Sequence, residues 1–404
     1  MGVELGEIFN SAVSSSLFKN KSVLQVRYTP QSIPHREDQI KSIASILASS
    51  LRGDRPSNLF VYGKTGTGKT LSVQYVKEEI EKKAKELEID LKFEYLNCKL
   101  KKVADTEYRI LAALISQLGG SVPSTGLPTD KVWSKFVELI DNKKQLVIFI
   151  FDEVDHAVKK MTDNFLYSFT RLNQELSQAQ ISIIGISNDI TFLDNIDPRV
   201  RSSLGEEEFV FPPCNAIQLR DILKERCEDA FNKNSIKEGV IAKCAAYAAR
   251  EHGDARRSLD LIRIAGELSE RDGEKSVEES YIDLANKKIE RDKIIDIVSS
   301  EPKQFHLILY SIMQLTKQKK NGGIDKFFTG DVYNYYGSLC EETKTDALTQ
   351  RRVSDILAEI DMLGLINAKV ISKGRHGRTK EIKLSVPSNL FNKIENILVD
   401  SLYI

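Results

Sequence analysis

At 404 residues the chain exceeds one typical domain, and with 41% hydrophobic residues it holds enough apolar material for two or three ordinary cores. Its 58 Lys and Arg balance 58 Asp and Glu, so the formal net charge is zero and no global field draws it to nucleic acid or membrane; a charged partner needs a local patch. MGVELGEIFN lacks the basic-then-apolar build of a signal peptide, the apolar run LVIFIF (146–151) is far too short for a bilayer, and Cys98, Cys214, Cys227, Cys244 and Cys340 form no C-x-x-C pair. The five histidines show no ligand spacing either, so the cysteines read as free thiols of a reducing cytosol, with no structural zinc and no membrane partner.

Residues 1 to about 30 are polar and read as loosely ordered. In IPHREDQIKSIASILASSL, Ile40, Ile43, Ile46 and Leu47 recur at helical spacing after a Pro-containing entry. SNLFVYG reads as a short strand ending at Gly63, followed by a helix with Val73, Val76 and Ile80 on one face. LKFEYLNC is a second strand, and 105–118 is helical. GGSVPSTGLPTD (119–130) is a Gly/Pro-rich break, with a further helix from about Asp130. QLVIFIFDEVD (145–155) reads as a buried strand whose unbroken apolar run, LVIFIF, suits a central parallel strand covered on both faces, and ISIIGISND (181–189) is similar. Strands alternating with helices predict an α/β, doubly wound parallel sheet over 1–215. After FVFPPCN (209–215) the pattern turns helical, which predicts a small helical domain over 216–296. The third unit, 297–404, has helices near 303–319, 329–340 and 349–363. Two β-like runs, LINAKVIS and TKEIKLSV, follow, joined by KGRHGR. Three helices and a hairpin are the order of a winged helix-turn-helix.

The chemistry concentrates in VYGKTGTGKT (61–70), whose GKTGTGKT fits the phosphate-loop pattern G-x-x-x-x-G-K-S/T. Gly63, Gly66 and Gly68 let the backbone of Gly63, Lys64, Thr65, Gly66, Thr67 and Gly68 wrap phosphates, with consecutive N–H groups and a helix N-terminus facing the anion. Lys69 supplies a mobile point charge and Thr70 a hydroxyl for Mg²⁺. The alternative, a Gly-rich turn by chance, sits poorly with a strand before and a helix after. Asp152 and Glu153 end the buried strand at the sheet edge where ligands bind. Asp152 is expected to hold Mg²⁺ through water, and Glu153 to activate the attacking water. An acidic strand end alone is more simply a solvated one; the upstream phosphate loop changes that. Asn188, ending the neighbouring strand, is suited to position water or sense a γ-phosphate, although Asn there is also a common turn residue. Arg256, in GDARRSLDL, is placed to reach the phosphates or else is a solvated helix start.

Taken together, the phosphate loop, D-E after a buried strand, Asn on the next strand and G-D-A-R in a helical lid resemble the AAA+ ATPases. IPHREDQI, IDPRVRSSLGEEEFVFPPCNAIQLRDILKERC and GDARRSLDLIRIAGELSE are close to signatures of the archaeal origin-recognition/cell-division-cycle (ORC/CDC) replication initiators, over nearly the whole chain. The resemblance implies an ATP/ADP and Mg²⁺ site in which the His35-Arg36 segment cradles the adenine edge by backbone contacts and Arg226 contacts the nucleotide. It implies that Arg256 is the lid's sensor arginine, and that Arg199 or Arg201 completes a neighbour's site, without choosing between them. It also implies DNA contact by the insertion around 120–132, with Pro123, Thr125 and Gly126. Where the family usually reads F-P-P-Y this chain has Cys214, which removes an aromatic beside the nucleotide.

The last helix before the hairpin, LTQRRVSDILAEIDMLG, has Val353, Ile356, Leu357, Ile360 and Leu363 on one face, Gly364 as its stop, and Arg351 and Arg352 in its first turn, where recognition helices meet base edges. Lys373, Arg375 and Arg378 surround the hairpin tip, with Lys369, Lys380 and Lys383 nearby and Glu381 opposing. A basic hairpin also serves to block strand pairing, but behind three helices it favours double-stranded DNA. The leading expectation is an ATP-regulated, slowly hydrolysing DNA-binding protein of the cytoplasm and nucleoid. It marks replication origins beside the replicative helicase and paralogous initiators. The alternatives are a ring-forming loader or motor and a paralogue acting as a transcriptional or initiation repressor.

Overall fold

The computed structural model describes residues 16–25, 28–30, 32–99, 106–123, 125–161, 164–319, 327–372 and 378–404. The chain divides into two compact units, Met1–Asp283 and Leu284–Ile404.

The first unit is built on a parallel sheet of five strands in the order β2-β3-β4-β1-β5: β1 (Asn58–Tyr62), β2 (Leu91–Asn97), β3 (Leu146–Asp152), β4 (Gln180–Ser187) and β5 (Glu206–Val210). β1 and β3 are buried at every position, as central strands between two helical layers must be. On one face, α1 (Glu37–Leu47) and α2 (Lys69–Glu86) set Ile43, Leu47, Val73, Val76 and Ile80 against Leu59, Val61, Ile148 and Ile150. The other face is covered by α3 (Glu107–Gln117), α4 (Thr129–Ile140), α5 (Val154–Met161) and α6 (Asn164–Arg171). An aromatic cluster centres there on Phe169, whose ring lies 4.9–5.7 Å from those of Trp133, Phe136, Phe149, Phe151 and Phe165. Edge-on and tilted pairs of this kind add to simple area burial.

After α7 (Pro198–Leu204) and β5, the unit continues into helices α8 (Ala216–Ala230), α9 (Val240–Arg250), α10 (Ala255–Arg271) and the start of α11 (Glu279–Ser300), the helical lid. Asn215 and Gln218 close a capping box at α8, and Asp254 caps α10. Three sequence expectations need correction. Residues 16–25 are not loosely ordered: they form a 3₁₀ turn (Lys21–Leu24) that buries Leu17, Phe18, Val23 and Leu24. The Phe18 ring lies tilted against that of Phe231, 4.5 Å between centroids, and a Cβ on Gly266 would come within 2.5 Å of it, so the small residue in α10 makes room for it. The strand read as 145–155 ends at Asp152, because Glu153 turns the chain at φ 55° and α5 begins at Val154. β5 went unread because its first residues are acidic, which an edge strand tolerates and a central one does not.

The second unit packs α12 (Lys303–Lys319), α13 (Thr329–Glu342), α14 (Gln350–Met362) and α15 (Ser388–Leu402) around Phe305, Ile308, Ile312, Tyr336, Val353, Leu357, Ile360 and Leu398. β7 (Ile366–Ser372) and β8 (Arg378–Leu384) form the expected antiparallel hairpin, and β6 (Phe327–Phe328) adds a third strand beside β8. This is a winged helix; β6, only two residues long, and α15 are additions to the sequence reading. Among the described residues no helix is long and apolar enough to cross a membrane. All five cysteines are buried and free.

Candidate functional site

The sheet order places the chemistry. β4 lies between β1 and β3, so Asn188, just past β4, stands between the loop after β1 and the carboxylates after β3. Gly63, Gly66 and Gly68 have φ of 151°, 71° and 92°. The last two lie in the left-handed region, which glycine enters at no steric cost. Lys69 opens α2 and is buried. Its ammonium donates to Gly63 O (2.7 Å), Lys64 O (2.8 Å) and Asn188 Oδ1 (2.9 Å), so all three donors are directed inward. Burial pushes its pKa down to about 8, against the pull of the Asp152 carboxylate.

Thr70 Oγ1 and Tyr95 Oη both donate to Asp152 Oδ2, at 3.0 and 2.7 Å. Burial, then the neighbouring carboxylate, raises the Tyr95 phenol, which keeps it a donor. Among the described residues no group of three or more His, Cys, Asp or Glu could hold a metal ion. A Mg²⁺ site of the phosphate-loop kind needs none, since one hydroxyl, one carboxylate, water and phosphate oxygens complete the octahedron. Thr70 and Asp152 fit that donor set. Glu153 sits in the left-handed region at φ 55°, a conformation that costs a non-glycine residue roughly 1–2 kcal/mol and gathers at functional sites. Its Oε2 is buried without a hydrogen bond among the described residues, with Lys99 Nζ at 3.4 Å and His156 Nε2 at 3.7 Å.

The lid closes directly on the loop. Ala255 N–H donates to Gly66 O at 3.2 Å, and a Cβ on Gly66 would meet Asp254 Oδ1 at 1.7 Å. Between them opens a cavity of 580 Å³, lined among others by Tyr28, Pro34, Arg36, Gly66, Thr67, Gly68, Lys69, Thr70, Tyr95, Asp152, Glu153, Asn188, Cys214, Arg226, Arg256 and Leu259. Arg36 is buried and clamps two segments together: Nε donates to Thr67 O (2.8 Å), Nη2 to Pro212 O (2.9 Å) and to Cys214 Sγ (3.0 Å). Where an aromatic was expected, Cys214 is thus an acceptor for Arg36, its thiol pushed up by burial. Arg226 is buried over the Tyr28 ring at 4.7 Å, with Nη1 unpartnered among the described residues. Arg256 is exposed at the cavity, close enough to disfavour the Lys69 charge.

Some expected residues stand apart. His35 does not line the cavity; its ring pairs with Asp221 at 3.0 Å. Lys64 and Thr65 are exposed, and Lys64, like Gly63, meets the site through its carbonyl. Arg199 and Arg201, on α7, line no part of the chain's own cavity: Arg199 pairs with Asp197 at 2.8 Å, and Arg201 with Asp194 at 3.0 Å. The Arg199 hydrogen bond holds Asp197 down to about 2. Tyr95 and Tyr28 were missed. Strand alternation, visible in the sequence, puts Tyr95 on the same face of β2 as Asn97; that Asn97 is the ladder partner of Asp152 is not visible there. Nothing in the sequence marked Tyr28.

In the second unit Thr349 caps α14, leaving Arg351 and Arg352 exposed in its first turn. Lys380 on β8 reaches back to Ser354 O (3.1 Å), and Glu381 stands opposite Lys369 in the hairpin ladder. Arg351, Ser354, Val370 and Lys380 share a groove of 420 Å³. Lys373 and Arg375 lie outside the described residues, as does the side chain of Arg378. Pro123, Thr125 and Gly126 fall between α3 and α4; Pro123 and Gly126 are exposed there, Pro123 O is held by Tyr108, and Thr125 is exposed beside them.

A phosphate loop before α2, a D-E pair after β3 and a helical lid define an AAA-type ATPase domain, here followed by a winged helix. Residues 52–191 match the family model "AAA domain", 220–287 "Cdc6 AAA+ ATPase-type lid domain" and 296–393 "CDC6, C terminal winged helix domain". The chain is 49% identical over 401 residues to the ORC1-type DNA replication protein of Pyrococcus furiosus, covering 98% of this chain and 93% of that one. It is 50% identical over 388 residues to the ORC1-type DNA replication protein of Thermococcus onnurineus, covering 95% and 91%. Among solved structures, the Aeropyrum pernix ORC1 protein in complex with DNA superimposes with a TM-score of 0.83 at 41% identity, covering 96% and 98%. The chain belongs to the ORC1-type (Orc1/Cdc6) family of archaeal DNA replication initiators.

Proposed function

We propose that this protein is an ATP-regulated, site-specific double-stranded-DNA-binding protein, acting at the nucleoid in the cytoplasm, that recognises replication origins and helps recruit the replicative helicase. The observation that carries this reading is the contact of the lid with the phosphate loop, Ala255 on Gly66 and Asp254 against it. Any change in the loop is thereby felt by the lid, and the lid leads through α11 into the winged-helix unit.

Within the cavity, the amides of residues 63–68 and the start of α2 bind phosphate oxygens, and Lys69 turns its ammonium to them. Thr70 and Asp152 hold Mg²⁺. ATP with Mg²⁺ supplies the phosphoanhydride bond whose hydrolysis resets the switch. Glu153 accepts the proton of the attacking water, with the Lys99 ammonium 3.4 Å from its Oε2. Asn188 positions Lys69 and the water. Arg256 and Arg226 bind from the lid, and Arg36 and Pro34 frame the base end. On the DNA side, Arg351 and Arg352 enter the groove, Lys380, Arg378, Lys373 and Arg375 hold phosphates, and the loop with Pro123, Thr125 and Gly126 makes a second contact. The relative from Aeropyrum pernix, solved in complex with DNA, supports this reading.

A second reading, a ring-forming loader, draws on Arg199, whose side chain is 87% exposed and so within reach of a neighbour's site. It requires ATPase activity per molecule to rise steeply with protein concentration. The proposed function is tested by capturing fragmented genomic DNA with the protein, with and without ATP, and sequencing it. A few sharp intergenic peaks that depend on ATP are the expected result. Many promoter peaks would indicate a regulator, and a featureless smear would remove site-specific recognition.

A further inference from the structure

The Asp152 carboxylate is asymmetrically dressed. Oδ2 takes two hydrogen bonds, from Tyr95 Oη at 2.7 Å and Thr70 Oγ1 at 3.0 Å, while Oδ1 accepts none among the described residues. Two donors converging on one oxygen use its lone pairs and stop the carboxylate from rotating about its Cβ–Cγ bond. In a loaded site the Thr70 oxygen would also be a ligand of the proposed metal, its O–H still donating to Oδ2. The Tyr95 bond makes no such double use.

Tyr95 is itself held. It sits on β2, its carbonyl accepts from Gln117 Nε2 at 2.9 Å, and its ladder partner is Ile150, two residues before Asp152. The hydroxyl therefore reaches Asp152 along the diagonal of the β2–β3 pair, which only a long side chain spans. The strand delivers Asp152, and the neighbouring strand's tyrosine aims it.

We propose that Tyr95 is a positioning residue for the divalent cation: its hydroxyl fixes Asp152 Oδ2 so that Oδ1 is presented to Mg²⁺. The inference rests on the nucleotide-site reading above and assigns Tyr95 no contact with nucleotide. Outer partners of metal ligands are commonly worth 10–100-fold in metal affinity, and a neutral phenol stands at the lower end of that range.

The test is calorimetric titration of ADP into the full chain, in EDTA and at increasing Mg²⁺, for the wild type, Y95F, D152N and the double variant. Y95F is expected to bind Mg²⁺-free ADP like the wild type, but to need about 10-fold more Mg²⁺ for half of the metal-dependent gain in affinity. In the D152N background Y95F should add nothing further. An unchanged Mg²⁺ midpoint in Y95F overturns the proposal. Equal losses with and without Mg²⁺ also overturn it, since they mark a packing defect, as does a Y95F chain whose melting curve is lost. An equal Y95F shift in the D152N background would show that the effect does not pass through the carboxylate. Failure of the wild type to bind ADP would instead defeat the phosphate-loop reading itself.

Discussion

Lys69 makes its three hydrogen bonds to two loop carbonyls and Asn188, and its charge is already weakened by burial. Phosphate oxygens are better acceptors than these neutral groups, and charge-assisted bonds contribute about 1.5–3 kcal/mol. Lys69→Ala should therefore weaken ATP binding by on the order of 100-fold, as read by calorimetry; retained tight binding would refute the phosphate loop. Glu153→Gln should leave nucleotide affinity near that of the wild type while lowering hydrolysis by about 10²–10⁴-fold, since it removes a base without removing a binding group. A single-turnover assay separates the two effects. At this scale the motif residues were legible because phosphate binding demands glycine, lysine and hydroxyl at fixed spacing. Tyr95, Arg36's clamp on Thr67 and Cys214, and the unpartnered nitrogen of Arg226 were not, because each depends on segments far apart in the chain meeting at the sheet edge.

At the scale of elements, periodicity located α1, α2, α3, α12, α13 and α14 and the buried strands, because each buries one stripe or both faces in apolar residues. What it missed has a common cause. β5 is acidic at its start, β6 is two residues long, and the 3₁₀ turn at Lys21–Leu24 is too short to show a period. The turn's burial comes from meeting the lid, not from a pattern of its own. Phe169, at the centre of the aromatic cluster, carries a corresponding prediction. Phe169→Ala should destabilise the first unit by about 3–5 kcal/mol. In differential scanning calorimetry the sheet-domain transition should move down while the winged-helix transition stays in place. A uniform shift of both would show that the two units unfold as one.

For the whole molecule, zero net charge directs attention to where the charge sits. Since the proposed function has Arg375 and Arg378 hold phosphates, replacing both with Ala should weaken DNA binding and lower the slope of log K against log salt by about 0.9 for each phosphate left without its arginine. An unchanged slope would place the DNA surface elsewhere. The order of sheet domain, lid and winged helix was legible in the sequence, as was its likeness to replication initiators. The direct seat of Asp254 and Ala255 on Gly66 was not, since no local pattern records the meeting of residues nearly two hundred positions apart. Through that seat, nucleotide in the cavity governs DNA recognition in the function proposed above. The most direct test is the ratio of dissociation constants for a duplex selected from genomic DNA and a scrambled duplex, measured with ATP, with ADP and without nucleotide, for the wild type and Lys69→Ala. ATP should change the ratio for the wild type by 10-fold or more, a coupling of about 1.4 kcal/mol, and leave Lys69→Ala unmoved. A ratio that is the same in all three nucleotide conditions would contradict nucleotide control of DNA recognition.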